Sequence, residues 1–183
     1  MCKNCELKPV YEFTNKRKLC KQCFINWFQK KFLYTIRKFS MINKEEVIAY
    51  ENSGNFRDVV LEDLLKIFSE KSRISLIKLP SKKKFTKKAI SETIDSNSIK
   101  IMQFITENKI SQLKNLSASD KSIIKPLYLF LDSEVLLYAK LKNLKFEKIV
   151  EKKTNWSFFI DELEIKHPEI KRAIVNSYLE LYK

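Results

Sequence analysis

Between Cys20 and Ser40 the residues Phe24, Trp27, Phe28, Phe32, Ile36 and Phe39 return every three or four positions, while Lys30, Arg37 and Lys38 fall mostly off that stripe. A period near 3.6 predicts an amphipathic helix over 21–39. Its aromatic stripe reads first as a packing face, with a base-stacking surface as the alternative. From Glu45 the pattern changes. Val47-Ile48-Ala49-Tyr50 predicts a short strand and Glu51-Asn52-Ser53-Gly54-Asn55 a polar turn, after which Val59, Val60, Leu61, Leu64, Leu65 and Phe68 predict a helix. Ile74 to Leu79 predicts a second strand that stops at Pro80, and a crossover connection makes the two strands parallel neighbours.

Further along, the lysine-rich segment 82–88 is expected on the surface between elements. Residues 89–116 read as one helix on the spacing of Ile90, Ile94, Ile101, Phe104, Ile105 and Ile110, ending at Ser117-Ala118-Ser119-Asp120. Ile123 to Leu127 is a short apolar segment broken by Pro126. A helix over 132–144 follows, capped by Asp132 or Ser133, and two last helices, 154–164 and 168–182, are separated at His167-Pro168. The pattern therefore predicts an α/β class. Its one module junction falls near 40–44, dividing the chain into 1–42 and 43–183.

Charge adds a preference for partners. Thirty-six Lys and Arg stand against 22 Asp and Glu in 183 residues, a formal net charge of +14. The excess is local: residues 1–44 hold 11 basic and two acidic side chains, and 78–91 hold six lysines and no acid. Such patches attract phosphate backbones or other anionic surfaces, the alternative being solubility alone. Gly54 is the only glycine, so a nucleotide site needing several glycines for close backbone approach is hard to build. No apolar run is long enough to span a bilayer and no signal segment follows Met1, so a reducing, cytoplasmic setting without a membrane partner is expected.

In that setting the four cysteines are poor disulfide candidates. Cys2-x2-Cys5 and Cys20-x2-Cys23 are two knuckles separated by fourteen residues, a spacing that lets four thiolates surround one ion. Structural Zn²⁺ is the default occupant, because four thiolates leave it no open position for catalysis; an iron–sulfur cluster and a redox pair are the competing readings. The lone histidine, His167, supports neither a His-based catalytic group nor a mixed ligand set.

Several segments together resemble a known family. Cys2-Lys-Asn-Cys5, Leu19-Cys20-Lys-Gln-Cys23-Phe24, Phe28-Gln-Lys-Lys-Phe32 and Ile36-Arg-Lys resemble the N-terminal finger and helix of the cytoplasmic tRNA 2-thiolation proteins. Glu46-Val47-Ile48-Ala49 followed by Ser53-Gly54-Asn55-Phe56-Arg57-Asp58 falls where that family has a strand and a Ser-Gly-Gly-x-Asp-Ser phosphate loop. Ile124-Lys125-Pro126-Leu127 with Glu134-Val135-Leu136-Leu137-Tyr138-Ala139 resembles its Lys-Pro-Leu … Glu-Ile-Val-x-Tyr-Ala segment, and Phe159, Leu163-Glu164, Pro168, Ile174 and Ser177 its C-terminal helices.

The resemblance implies a zinc finger followed by a reduced PP-loop domain, of the adenine nucleotide alpha hydrolase type, with a small parallel sheet and C-terminal helices. It also implies work on wobble uridine 34 of the tRNAs for lysine, glutamate and glutamine, where the family replaces the 2-oxygen with sulfur. Three departures bear on catalysis. Asn55 replaces the second loop glycine, and Phe56-Arg57 adds bulk where backbone must wrap pyrophosphate, so no ATP is expected. The catalytic members carry further cysteines in their central domain, and here all four belong to the finger. Residues 80–90 also replace a longer stretch.

The pattern is thus most similar to the family's non-catalytic subunit, cytoplasmic tRNA 2-thiolation protein 2, a tRNA-binding partner of the catalytic subunit. Ser53, Gly54, Asn55 and Asp58 are then a degenerate phosphate loop. Lys30, Lys31, Arg37 and Lys38, with Lys82, Lys83, Lys84, Lys87 and Lys88, are the residues expected to meet tRNA. A zinc-ribbon module for another nucleic acid or protein partner, and a diverged but active ATP-dependent thiolase, are the alternatives.

Overall fold

The computed structural model describes residues 1–147 and 154–182. The finger is a two-stranded antiparallel hairpin, β1 (Tyr11–Glu12) and β2 (Lys18–Leu19), that runs directly into helix α1 (Lys21–Lys38). The helix buries Phe24, Phe28, Phe32 and Ile36, so the aromatic stripe is a packing face. At its far end Arg37 and Lys38 lie in the last turn, where cations suit the negative end of the helix dipole.

The anticipated α/β unit follows as strand β3 (Val47–Tyr50), helix α2 (Phe56–Lys71) and strand β4 (Ser75–Lys78), and the two strands pair in parallel with Val47 opposite Ser75. Strand β5 (Lys87–Ala89) pairs on the other side of β3. Beyond it lie helix α3 (Ile94–Thr106), a single turn α4 (Ile110–Leu113), a 3-10 turn at Lys114–Leu116 and strand β6 (Ile123–Ile124). The sheet is wholly parallel in the order β4-β3-β5-β6. Helices α5 (Asp132–Leu141), α6 (Asn155–Lys166) and α7 (Ile170–Leu181) complete the described chain.

The chain moves outward from β3 to β4 in one direction and from β5 to β6 in the other. Right-handed crossovers therefore put α2 and α3 on opposite faces. The packing agrees: α5 lies against α1 and α2, whereas α3 lies against α6 and α7. One continuous core joins these layers and reaches into the finger through Leu19, Cys20 and Phe24.

The predicted helix over 89–116 is corrected to a strand, a helix and two short turns. Lys88 N–H and Ile90 N–H are drawn into ladder bonds with Ser122 and Ile124 carbonyls (2.7 and 2.9 Å), Ser96 Oγ accepts from Thr93 N–H to start α3, and left-handed Asn108 (φ 55°) ends it. In consequence Lys87 and Lys88 belong to a strand rather than to the surface segment expected over 82–88. Helix α5 begins after Leu131, not after Asp132 or Ser133, because the Glu134 carboxylate accepts the Leu131 N–H at 3.1 Å. It stops at Leu141, short of 144, ahead of left-handed Asn143 (φ 54°).

Candidate functional site

Chain direction at the hairpin brings the two cysteine knuckles together, with Cys20 as the residue preceding α1 and Cys23 in its first turn. All four sulfurs lie within 4.8 Å of one another. Cys5 Sγ is 3.3 Å from Cys20 Sγ and 3.6 Å from Cys23 Sγ, and none is in a disulfide. A tetrahedron of sulfurs around an ion at about 2.3 Å has edges of about 3.8 Å, so the spacing fits a metal.

Electrostatics points the same way. Backbone hydrogen bonding at Asn4 draws the Cys2 thiol down to about 6, and that at Cys23 lowers Cys20 too, while the crowding Cys5 sulfur pushes Cys23 up to about 12. Four thiolates this close repel, and a thiophilic cation relieves them. Among the described residues this is the one His/Cys/Asp/Glu cluster able to hold a metal ion.

The finger is seated by aromatic rings and by one buried carboxylate. Tyr11, Phe13 and Trp27 form a mutual cluster with centroids 4.8 to 6.2 Å apart. Tyr11 Oη donates to Glu134 at 3.2 Å. Glu134 is fully buried on α5 and also takes Lys31 Nζ at 2.9 Å and Arg172 Nη2 at 2.6 Å, tying the finger, α1 and α7 to one point. Burial lowers the Lys31 ammonium to about 8 despite the attraction of Glu134.

From the carboxyl end of β3, the loop 51–55 enters α2. It lies where strand order reverses between β3 and β5, the position at which open α/β sheets form a ligand crevice. Gly54 takes φ 87° and donates to Asn52 Oδ1 at 2.8 Å. Asn55 Oδ1 accepts both Arg57 N–H and Asp58 N–H at 2.9 Å. Those are the helix-terminal donors that would otherwise face an anion. Asp58 Oδ2 in turn takes Ser53 N–H (3.1 Å), Ser53 Oγ (2.7 Å) and Asn55 Nδ2 (2.7 Å), and its other oxygen takes Ser91 Oγ.

The loop is also covered. Glu147 N–H donates to Gly54 O at 2.8 Å, and a Cβ at Gly54 would meet the Glu147 side chain at 3.5 Å. Phe146 packs edge-on against Phe56.

Beside the loop a cavity of about 590 Å³ opens, and its polar walls are largely paired with one another. Arg57 is clamped on Asp132, which also receives Thr93 Oγ1 at 2.8 Å. Lys171 reaches Asp95 (2.9 Å), Asp161 (3.1 Å) and Glu164 (2.7 Å). Burial, then the neighbouring Asp132 charge, raises the Asp95 carboxyl; burial opposes the Lys171 ammonium, but its carboxylates outweigh it and raise its pKa. Sequence reasoning identified Ser53, Gly54, Asn55 and Asp58. It gave no site role to Ser91, Thr93, Asp95, Asp132, Glu134 or Lys171, most of whose partners lie far off in the chain; the Asn55-x2-Asp58 cap pattern is the local signal for the loop.

The basic residues sort into two groups. Lys30, Arg37 and Lys38 are exposed on α1, and Lys82, Lys83 and Lys84 are exposed on the segment before β5 without a carboxylate partner among the described residues. By contrast Lys31 is held by Glu134, Lys87 is buried against Glu46 (3.0 Å) and the Met41 carbonyl (2.8 Å), and Lys88 reaches Glu51 at 2.7 Å.

The fold joins a four-cysteine finger to a parallel sheet in which a polar loop enters a helix at the switch point. Among solved structures it is shared with the U34-tRNA thiolase NcsA from Methanococcus maripaludis, determined with its 4Fe–4S cluster. The two superpose with a TM-score of 0.77 over 98% of this chain and 86% of that one, at 19% sequence identity, a likeness of fold. No protein-family model and no curated protein sequence matches the chain. No described helix is long and apolar enough to cross a membrane.

Proposed function

We propose that the chain is a non-catalytic, tRNA-binding subunit of the cytoplasmic complex that 2-thiolates wobble uridine 34, acting beside a catalytic 2-thiolation subunit. The observation that carries this reading is the occupied loop: Asn55 caps the helix donors, Asp58 takes the remaining loop hydrogen bonds, and Glu147 lies across Gly54. An anionic triphosphate would have to displace a built-in carboxylate and its own cap. The shared fold with a U34-tRNA thiolase supports the reaction, and the concentration of all four cysteines at the finger supports a role without sulfur transfer. In this reading the site at Cys2, Cys5, Cys20 and Cys23 holds structural zinc, the finger and basic helix of 1–42 and the exposed lysines meet tRNA, and 43–183 is the reduced PP-loop-like domain.

The RNA-binding part is tested by equilibrium binding of tRNA across a salt series. Replacing Lys30 and Arg37, or Lys82, Lys83 and Lys84, by alanine is expected to weaken binding and to flatten the slope of log affinity against log salt. The loss is about 0.9 per duplex phosphate contact, or about 0.7 on a single strand. Unchanged affinity and slope in both variants would remove this role. Metal analysis after anaerobic purification separates the occupants: zinc near one per chain is expected, and iron in excess of zinc contradicts it.

A further inference from the structure

Away from the loop, a second cavity of about 530 Å³ opens between the end of α1, the stretch 114–119 and the last turn of α7. It shares no lining residue with the cavity at the switch point. Its lining includes Lys38 and Lys114, Ser117 and Ser119, and the aromatic residues Phe39 and Tyr182, with no acidic side chain among the described residues.

Lys38 and Tyr182 are set by ring contacts. Lys38 rests over the Tyr34 and Phe39 rings at 5.9 and 5.5 Å, and Lys114 has no acidic partner among the described residues. Tyr182 lies tilted at 32° on Tyr178, centroids 4.9 Å apart, and keeps 39% of its surface open. Two cations without an acid select an anion, and aromatic walls select a flat π system attached to it. The volume is that of a small-ligand site.

We propose that this cleft holds one unpaired nucleotide of an RNA strand, its phosphate at Lys38 and Lys114 and its base against Tyr182 and Phe39. The strand source is favoured over a free nucleotide by what leads to the cleft. Lys38 continues the solvent face of α1 through Arg37, Tyr34 (56% exposed) and Lys30, and residues 13–44 contain no acid, so a cationic track for a backbone ends at the cleft. The inference rests on the tRNA-binding reading and specifies where an unpaired base goes.

The test uses the full chain, tRNA and uridine monophosphate, with Tyr182→Ala, Tyr182→Phe and Lys114→Ala, each checked for an unchanged melting temperature. Tyr182→Ala is expected to weaken tRNA binding at least fivefold or so without changing the salt slope, because stacking carries no counterions, and Tyr182→Phe to restore it. Lys114→Ala is expected to lower the slope by about 0.7. Parental tRNA binding by Tyr182→Ala and Lys114→Ala, with Lys30 and Arg37 variants still weakened, overturns the cleft and leaves the tRNA role intact. Parental binding by all of them removes both. Binding of uridine monophosphate that Tyr182→Ala abolishes, with tRNA affinity unchanged, makes the cleft a free-nucleotide site and overturns the RNA assignment.

Discussion

Stripping the metal from the four-cysteine site is expected to melt the finger and lower the melting temperature of the whole chain by about 8–16 °C. A ligand present at 1,000 times its Kd stabilises by about 4.1 kcal/mol, and a domain of this size moves by about 2–4 °C per kcal/mol. The size of the effect follows from how little strand pairing residues 1–20 have. The hairpin pairs only Tyr11 with Leu19 and Glu12 with Lys18, too little to stand alone in water. Its loss also uncovers the faces of Phe24 and Trp27 that Tyr11 and Phe13 now cover. Trp27 emission reports the finger directly, so chelation should shift it red before the rest unfolds. Cys20→Ser should reproduce that spectrum without chelator. Unchanged emission and melting in both would show that the cysteines hold no structural ion.

Glu134→Ala is the second large effect, a destabilisation of about 3–5 kcal/mol, the usual result of removing one member of a buried ion pair. Arg172 would keep its charge in a site that has lost the buried counter-charge, Lys31 would lose the carboxylate that holds its ammonium charged against burial, and the Leu131 N–H and Tyr11 hydroxyl would lose their acceptor. Urea unfolding measures it. The apolar replacement of the whole set, Lys31→Met with Glu134→Leu and Arg172→Leu, should recover much of the loss, since no charge is then buried unpaired. A single Glu134→Ala that costs under about 1 kcal/mol would mean that the cations escape to water and that the finger's seat lies elsewhere.

The parts legible in the sequence are those whose cause is local. Val47-Ile48-Ala49-Tyr50 before a polar turn is a strand wherever it is placed, and two Cys-x2-Cys knuckles declare a common ligand set by spacing alone. Strand β5 was hidden for a physical reason. Its residues are Lys-Lys-Ala, and Lys87 is buried because Glu46 and the Met41 carbonyl, forty or so residues earlier, satisfy its ammonium. The isoleucines from 90 to 110 fit a helical period equally well on either side of the break at Asn108, so periodicity could not find it. Glu134 illustrates the same limit at the site. Its partners Tyr11, Lys31 and Arg172 converge only in three dimensions, whereas Asn55, which caps the helix three residues before Asp58, could be suspected from the sequence around it.

The central claim is that this chain serves wobble-uridine thiolation without performing it. Its most direct test is the 2-thiouridine content at position 34 of the lysine, glutamate and glutamine tRNAs after depletion of the protein in its own cells. The account predicts loss of the thio group, restored by the parent chain and by the loop variant Asp58→Asn, but not by Cys20→Ser. Thiolation that persists after depletion would contradict a place in the complex, and failure of Asp58→Asn to restore it, with its melting temperature unchanged, would contradict the non-catalytic role.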